Sequence, residues 1–410
     1  MFDDDLLNKY LTDERYLNKK EVMYRLPSSV PINKFWPELL QARKNIQVPL
    51  LDKGEQNMWF CRQSHLTERL KQIDMVAKSN IFNYIPDQVQ SAVIFDALVD
   101  EAFNSSVIEG AFSTKKRSRE MIKNKEAPKD KSEKMIFNNY EALEFILENL
   151  EKPITEDILL TIYKIVTKNT LDADDQAEKY RDGAVFVIDP NLVDPIYEGP
   201  DYRNVQVMMD SLYDFINGED DLHPICKSAI IHFYLVYIHP FFDGNGRTAR
   251  CIAYMYLLQK GYDAFKFFSI SSLVIGERSK YYKAIKDVED NESDITYFII
   301  FYSNMILQSV TNILDNLKKE AVRGLLLLGI KKNGIVLSNR QKRAINTFIK
   351  KGKEITIAEY QKKYNVAYQT ARTDLLHLEE IDVLVKTKEG KKFVFKITEL
   401  EKLVEKYKPS

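Results

Sequence analysis

His239-Pro240-Phe241-Phe242-Asp243-Gly244-Asn245-Gly246-Arg247-Thr248-Ala249-Arg250 gathers an imidazole, a carboxylate, a Gly-Asn-Gly turn and two guanidinium groups into twelve residues. That set suits a phosphate-rich ligand. His239 has the ordinary pKa range of a base that is neutral near pH 7 and can accept a proton from a hydroxyl. Asp243 can hold Mg²⁺, an ion that prefers oxygen ligands and keeps several waters. Gly244, Asn245 and Gly246 let backbone N–H groups approach phosphate oxygens. They open an expected helix over 246–260, whose N-terminus adds positive potential. Arg247 and Arg250 fall three apart on that helix and can both reach an anion. Thr248 and Ala249 between them complete the stretch expected to meet a nucleoside triphosphate. Phe241 has no polar role and is expected to anchor the loop in the apolar core. Taken singly, these residues have a plain reading: His239-Pro240 ends a helix, and Asp243 and Asn245 form turns. Taken together they are equipped for nucleotidyl transfer, which is mainly positioning plus charge stabilisation.

Outward from the loop, apolar periodicity predicts helices over 139–150, 155–170, 205–217, 225–238, 279–288 and 294–318, with breaks at 149–153 and at His223-Pro224. Val89, Val93, Ala97, Phe103 and Val107 mark a long amphipathic helix within 87–112. The charge-dense tract 115–134, with Pro128 inside, reads as an exposed linker. Val185, Phe186, Val187 and Ile188 are β-formers followed by Pro190, Pro195, Gly199 and Pro200, so a short strand or hairpin is expected between helices. Residues 1–86 mix helical patches with Pro31, Pro37, Pro49 and Pro86, and Trp36, Leu39 and Leu40 share one helix face. The expected fold class is mainly α, in three parts: an N-terminal helical region (1–86), a central helical domain (87–320) and a C-terminal domain (335–410).

At 410 residues the chain exceeds one ordinary core, and 45% apolar content suffices to bury a large one. Net charge is −1, from 59 basic and 60 acidic side chains, but it is unevenly spread. Residues 331–410 hold 19 Lys or Arg against 10 Asp or Glu, a net of +9 on a body of −10. A basic tail on an acidic body points to nucleic acid as a partner of the tail. Cys61, Cys226 and Cys251 lack C-x-x-C spacing, so buried free thiols are expected rather than a disulfide framework or a zinc site. The opening Met1-Phe2-Asp3-Asp4-Asp5 is unlike a signal peptide. The longest apolar run, 295–307, is too short to span a membrane and carries Ser303 and Asn304. A cytoplasmic protein with no membrane contact is expected.

At the C-terminal end, helices are expected over 340–350, 356–364 (Thr356 as N-cap) and 367–380. Strands over 383–386 and 392–397 would bracket the turn Lys388-Glu389-Gly390-Lys391. This order resembles a winged helix-turn-helix. The resemblance implies that Tyr368, Gln369 and Arg372 face bases or phosphates while Ala371, Leu375, Leu376 and Leu378 face the core. Lys386, Lys388, Lys391 and Lys392 would lie on the wing against the DNA backbone. A protein-interaction or dimerisation module is the rival reading, which leaves room for a homodimer.

The loop order HPFxDGNGRxxR resembles, without a departure, the signature loop of the Fic-domain adenylyltransferases, and the resemblance extends over roughly 87–318. It implies transfer of AMP from ATP to a Tyr, Thr or Ser hydroxyl of a protein, possession of which makes the chain itself a candidate target. His239 would be the base, Asp243 the Mg²⁺ ligand, and Arg247 and Arg250 the triphosphate contacts. Ser105-Ser106-Val107-Ile108-Glu109-Gly110 resembles the family's inhibitory motif, [ST]-x-x-x-E-[GN], at Ser105, Glu109 and Gly110. The resemblance implies that Glu109 pairs with Arg250 and blocks productive placement of the γ-phosphate, so Glu109 also borders the ATP site. Residues 185–188 fall where the family places a flap that docks the target by strand addition. Tyr281 and Tyr282 resemble a pair placed beside the nucleotide, with core packing as the rival reading, and Asn291 is a further candidate for the adenine or ribose. Two alternatives stay open: a DNA-binding regulator whose Fic site senses nucleotide, and a Fic enzyme that removes AMP or uses another donor.

Overall fold

The computed structural model describes residues 4–13, 15–78, 87–176, 179–187, 197–352, 354–390 and 392–407. The chain divides into two compact units, Met1–Val310 and Thr311–Ser410. It is mainly α-helical with a few short strands, as the periodicity predicts.

The centre of the first unit is a pair of helices, Pro224–Ile238 and Asn245–Gln259, packed against each other. Both are buried on nearly every face, which the mostly apolar and small residues of Ile225–Leu235 and Ala249–Leu258 permit, with Lys227, His232 and Arg250 buried among them. Pro224 takes the first helical position, where its missing N–H costs nothing, and the His223 side chain caps Ile225 N–H at 3.3 Å. Asp87–Ile108, Lys131–Glu148 and Glu156–Thr167 pack on the second helix of the pair, and Val205–Asn217 packs on the first. The loop 239–244 joining the central pair therefore emerges from the most buried part of the unit.

The tract 115–134 is not a linker. It forms the helix Lys115–Asn124 and the first turn of Lys131–Glu148. Charge density hid two caps, Thr114 and Asp130, and a small buried face, Ser118, Met121 and Ile122. Arg117 also grips Glu133 with two hydrogen bonds of 2.8 and 3.1 Å, which consumes charges that would otherwise favour solvent.

The N-terminal region packs Tyr10, Leu17, Val22, Phe35, Trp36, Leu39, Leu40 and Trp59 into a small core. It holds a hairpin the periodicity did not show, Ile46–Leu51 with Asn57–Phe60, antiparallel in the register Ile46↔Phe60. Pro49 is tolerated because each strand of a two-stranded sheet is an edge. Tyr16 Oη donates to buried Asp294 at 2.6 Å, and Trp59 Nε1 donates to the Glu292 carbonyl at 2.8 Å. These two bonds fasten the region to the helical body, while Arg43, donating to the Leu17 carbonyl at 3.0 Å, ties the region together internally.

The second unit contains the helices Asn339–Lys351, Ile357–Tyr364 and Tyr368–Glu380 and a three-stranded sheet. Lys392–Ile397 is the central strand, between Ile355–Thr356 and Leu384–Glu389. Thr356 caps its helix through a reciprocal box with Glu359. A last helix, Leu400–Tyr407, lay outside the sequence reading. It docks beside Gly329, where any Cβ would meet the Tyr407 carbonyl oxygen at 2.2 Å. The helix Thr296–Lys332 begins in the first unit and ends in the second, beyond the predicted 294–318. No helix among the described residues is long and apolar enough to cross a membrane.

Candidate functional site

His239 ends the helix Pro224–Ile238 in the left-handed conformation, φ 51°, uncommon outside glycine and a device for turning a chain sharply. Pro240 then forbids further helix. The imidazole Nδ1 lies 3.2 Å from the Val236 carbonyl oxygen. A carbonyl only accepts, so Nδ1 carries the proton and Nε2 is the basic nitrogen. Burial pushes the His239 pKa below its ordinary 6.5, against the opposing pull of the Val236 carbonyl and Glu109. The ring is thus neutral at pH 7, as a base must be. His232, two turns earlier, is a different case. Burial holds it down to about 3, and its Nε2 shares a 3.0 Å hydrogen bond with Tyr281 Oη in the core.

The loop is stitched from within. Asn245 Oδ1 accepts Phe241 N–H at 2.9 Å and its Nδ2 donates to the Phe241 carbonyl at 2.7 Å. Phe241 is buried and stacks on Tyr163 with ring centroids 3.5 Å apart. Gly244, at φ 86°, forms the turn into the helix, and a Cβ there would stand 2.6 Å from Thr167 Cγ2, so both backbone and space require glycine. Thr248 spends its hydroxyl on the Gly244 carbonyl at 2.9 Å, and the Ala249 side chain is buried.

The charged groups converge on the first turn of Asn245–Gln259. Arg247 is fully buried, donates to the Val166 carbonyl at 2.7 Å and lies 3.5 Å from Asp243 Oδ1. Arg250 donates to Ser105 Oγ at 2.8 Å, to the Ser105 carbonyl at 2.9 Å and to Glu109 Oε1 at 2.7 Å. The Ser105 carbonyl belongs to the last turn of Asp87–Ile108, where carbonyls lack helical partners and favour a cation. Glu109 follows immediately, with Gly110 at φ 92° releasing the chain. The Glu109 carboxylate lies against Gly246: a Cβ there would be 2.1 Å from Oε1. It sits, in other words, where the helix N-terminus would receive an anion. Burial raises the pKa of Glu109, but Arg250, Arg247 and His239 outweigh it and leave the group below its ordinary value, an anion at pH 7.

Two buried donors at this point have no hydrogen-bond partner among the described residues, Arg250 Nη1 and Arg247 Nε. The first lies 3.2 Å from the position of a Gly246 Cβ, facing the cradle. Orphaned guanidinium donors beside a helix N-terminus suit a phosphate group. Asp243 is 41% exposed at its side chain, and its Oδ1 is engaged by Gly244 N–H. No group of three or more His, Cys, Asp or Glu side chains is gathered for a metal among the described residues. A single exposed carboxylate nevertheless fits Mg²⁺ that arrives with a triphosphate, since that ion takes most of its ligands from water and phosphate.

The other candidates are dispersed. Tyr281 is buried against His232, Phe298 and Phe301, while Tyr282 is 39% exposed under Arg278. Asn291 has both ends of its amide engaged, donating to the Asp287 carbonyl at 2.7 Å and accepting Lys19 N–H at 3.4 Å. Val185 is buried. Phe186 and Val187 pair antiparallel with Glu198 and Tyr197, and the Phe186 side chain is exposed. Ile188 lies outside the described residues, as does Lys391. In the second unit, Tyr368, Gln369 and Arg372 are exposed at the start of their helix, and Lys388 is exposed on the hairpin Leu384–Glu389/Lys392–Ile397.

Sequence reasoning missed Arg181. Its backbone N–H donates to the Pro240 carbonyl at 2.9 Å, its Nε to the His239 carbonyl at 2.8 Å and its Nη1 to the Gly183 carbonyl at 2.7 Å. It braces the peptide that turns the base into place and ties it to the hairpin. An isolated arginine before Asp182-Gly183 carries no local signal of that role. Lys53 was missed as well: it caps the Glu198 carbonyl and lies 4.0 Å over the Tyr197 ring.

Residues 153–257, which contain this loop and the helices around it, match the Fic/DOC family. Over 216 residues the chain is 30% identical to "Protein adenylyltransferase Fic" of Nematostella vectensis, covering 51% of this chain and 47% of that protein. It is 36% identical over 129 residues to the protein of the same name in Drosophila willistoni, covering 27% and 24%. The chain thus spans about half the length, or less, of these curated relatives. In fold it is similar to a Fic family protein from Desulfovibrio desulfuricans, with TM-score 0.52, 16% identity, and 81% of this chain and 94% of that one covered. A Fic domain-containing signaling protein from Bacteroides thetaiotaomicron superposes with TM-score 0.51 at 21% identity, over 61% and 97% of the two chains. Loop and sequence agree that residues 153–257 are similar to the Fic/DOC family, and the helical frame is similar in fold to a Fic family protein.

Proposed function

We propose that the protein transfers AMP from ATP to a hydroxyl side chain of a protein, itself included, and that Glu109 restrains the reaction. The observation that supports this best is the convergence at the first turn of Asn245–Gln259. Two buried arginines carry orphaned donors, that of Arg250 facing a glycine-lined helix N-terminus, and a neutral imidazole stands at the other end of the same loop. In the reaction, the target oxygen attacks the α-phosphorus. A P–O bond to the target forms, the bond to pyrophosphate breaks, and pyrophosphate leaves. His239 Nε2 takes the hydroxyl proton as the oxygen becomes nucleophilic. Backbone N–H groups of the loop and the guanidinium groups of Arg247 and Arg250 receive the phosphate charge. Mg²⁺, held by Asp243, would supply further charge neutralisation on the phosphates. The hairpin of Phe186–Val187 with Tyr197–Glu198 is the proposed docking edge for an extended segment of the target.

Asp243→Ala should lower activity and flatten its rise with Mg²⁺ concentration. Labelled ATP incubated over a Mg²⁺ series measures this. An unchanged Mg²⁺ curve would place the metal on another residue. Running GTP, CTP and UTP beside ATP separates AMP transfer from use of another donor, and loss of label from premodified protein reports AMP removal.

We further propose that the second unit contacts DNA. The observation favouring this is the exposed set Tyr368, Gln369 and Arg372 at one helix start, with Lys388 on the hairpin. The full chain should retain duplex DNA with an affinity that falls steeply as salt rises. Lys388→Ala should weaken retention about equally for all sequences and lessen the salt slope. Absence of retention at low salt by the folded chain would favour a protein-interaction module. The free buried thiols are in keeping with a cytoplasmic setting, which we also propose.

A further inference from the structure

Glu101 stands two turns before Glu109 on the helix Asp87–Ile108, and Ser105 stands between them. Spacing of four puts Glu101 and Ser105 on one stripe of the helix, and Glu109, the residue just past its end, continues that spacing. The far end of that stripe is held by Arg250 through Ser105 and Glu109. The near end is held by Glu101, and nothing in the motif announces it. Its Oε2 accepts Ser269 Oγ at 2.7 Å and Ser271 N–H at 3.0 Å, and its Oε1 accepts Ser271 Oγ. All three residues are buried. Ser269 Oγ in turn accepts Ser272 N–H at 3.0 Å, so the carboxylate is joined to the start of the helix Ser271–Gly276. Glu101 also lines a small interior cavity with Arg250, His232 and Tyr281.

A buried carboxylate with three donors aimed at it is a costly group to place unless its position matters, because each donor and acceptor must find a partner on folding. The hydrogen bonds of the Glu101 carboxylate go to Ser269 and Ser271 and not to the loop 239–250, although it shares the small cavity with Arg250. What it fixes is the register and rotation of the helix that delivers Glu109. We propose that Glu101 is a latch: by binding Ser269 and Ser271 it holds the helix Asp87–Ile108 in the rotation that brings Glu109 to Arg250. This makes it a positioning residue for the restraint, and it rests on the reading of Glu109 as inhibitory. Displacing Glu109 from Arg250 leaves the latch and the two Ser105 bonds to hold the helix. The latch therefore decides how readily Glu109 returns.

The test compares the full-length wild type with Glu101→Ala, Glu101→Gln and Glu109→Gly. Hydrogen–deuterium exchange is read at residues 103–110, and AMP incorporation from labelled Mg-ATP is read alongside. Glu101→Ala should raise both exchange and incorporation about tenfold, as loss of one or two net hydrogen bonds gives. Glu101→Gln retains an acceptor for Ser271 N–H and should stay near the wild type. Adding Glu101→Ala to Glu109→Gly should give less than about a twofold further gain, because the restraint is already gone. If Glu101→Ala does not fold, the pair Ser269→Ala and Ser271→Ala replaces it. Unchanged exchange at 103–110 overturns the latch. So does raised exchange with wild-type incorporation while Glu109→Gly is strongly activated. Raised exchange with no AMP transfer by any variant, Glu109→Gly included, overturns the reading of the activity and supports the latch as the device that positions the helix.

Discussion

Glu109→Gly should incorporate AMP on the order of tenfold faster than the wild type, or more. The carboxylate touches both elements a terminal phosphate would use: it accepts from Arg250 at 2.7 Å and lies against Gly246 at the helix N-terminus. A phosphate brought to the same point meets an anion. Two like charges about 4 Å apart repel by about 1–4 kcal/mol between the dielectric of water and that of a protein surface. The Glu109 side chain is about a third exposed, so the lower half of that span applies. Each ~1.4 kcal/mol is tenfold in rate or affinity. Glycine also removes the side chain that fills the cradle, and it freely follows the turn that Gly110 already makes. Labelled ATP and a protein gel suffice to measure the change. Incorporation equal in the two proteins would remove the restraint assigned to Glu109 without touching the loop.

His239→Ala should reduce transfer by about 10²- to 10⁴-fold, the usual worth of a positioned general base, while ATP binding stays within a few-fold. The imidazole Nδ1 is engaged by the Val236 carbonyl, and in the proposed reaction the ring moves a proton while Arg247, Arg250 and backbone N–H groups would hold the anion. Calorimetric titration with ATP in the Glu109→Gly background separates binding from turnover. Equal losses of binding and turnover would make His239 a phosphate ligand instead of a base. The pH profile follows from the same ring. The reactive form is the neutral one, and burial sets the His239 pKa below 6.5. Activity should therefore fall on the acid side with a midpoint below 6.5 and be flat from there to neutral pH. A midpoint above 6.5 would mean that the Glu109 and Asp243 carboxylates dominate the ring.

The loop was legible in the sequence because its chemistry is contiguous. A helix-ending His-Pro, a Gly-Asn-Gly turn and two arginines at helical spacing fix most of their own geometry. Asn245 shows the margin of that reading: its amide closes the loop on Phe241 rather than facing outward. The central helix pair was legible for a similar reason, since its apolar runs admit few alternatives. What stayed hidden depends on distant partners. Arg181 braces His239 across 58 residues, and Glu101 meets Ser271 across 170. Neither has a periodicity to show it. The helix Lys115–Asn124 was hidden by its charges, which are paired with distant residues: Arg117 with Glu126 and Glu133, Lys115 with Asp100 and Arg119 with Asp96. The hairpin Ile46–Leu51/Asn57–Phe60 was hidden by Pro49 and by a pairing that completes itself on Asp294.

The central claim is that one loop, with His239 as base, transfers AMP and that the Glu109 carboxylate holds it back. It is tested most directly by intact-mass measurement of three proteins after incubation with Mg-ATP: wild type, Glu109→Gly, and Glu109→Gly with His239→Ala. We expect little adduct on the wild type, AMP-sized additions on Glu109→Gly, and none on the double variant. AMP additions of equal extent on Glu109→Gly and the double variant, or none on any of the three with a folded protein and bound ATP, would contradict it.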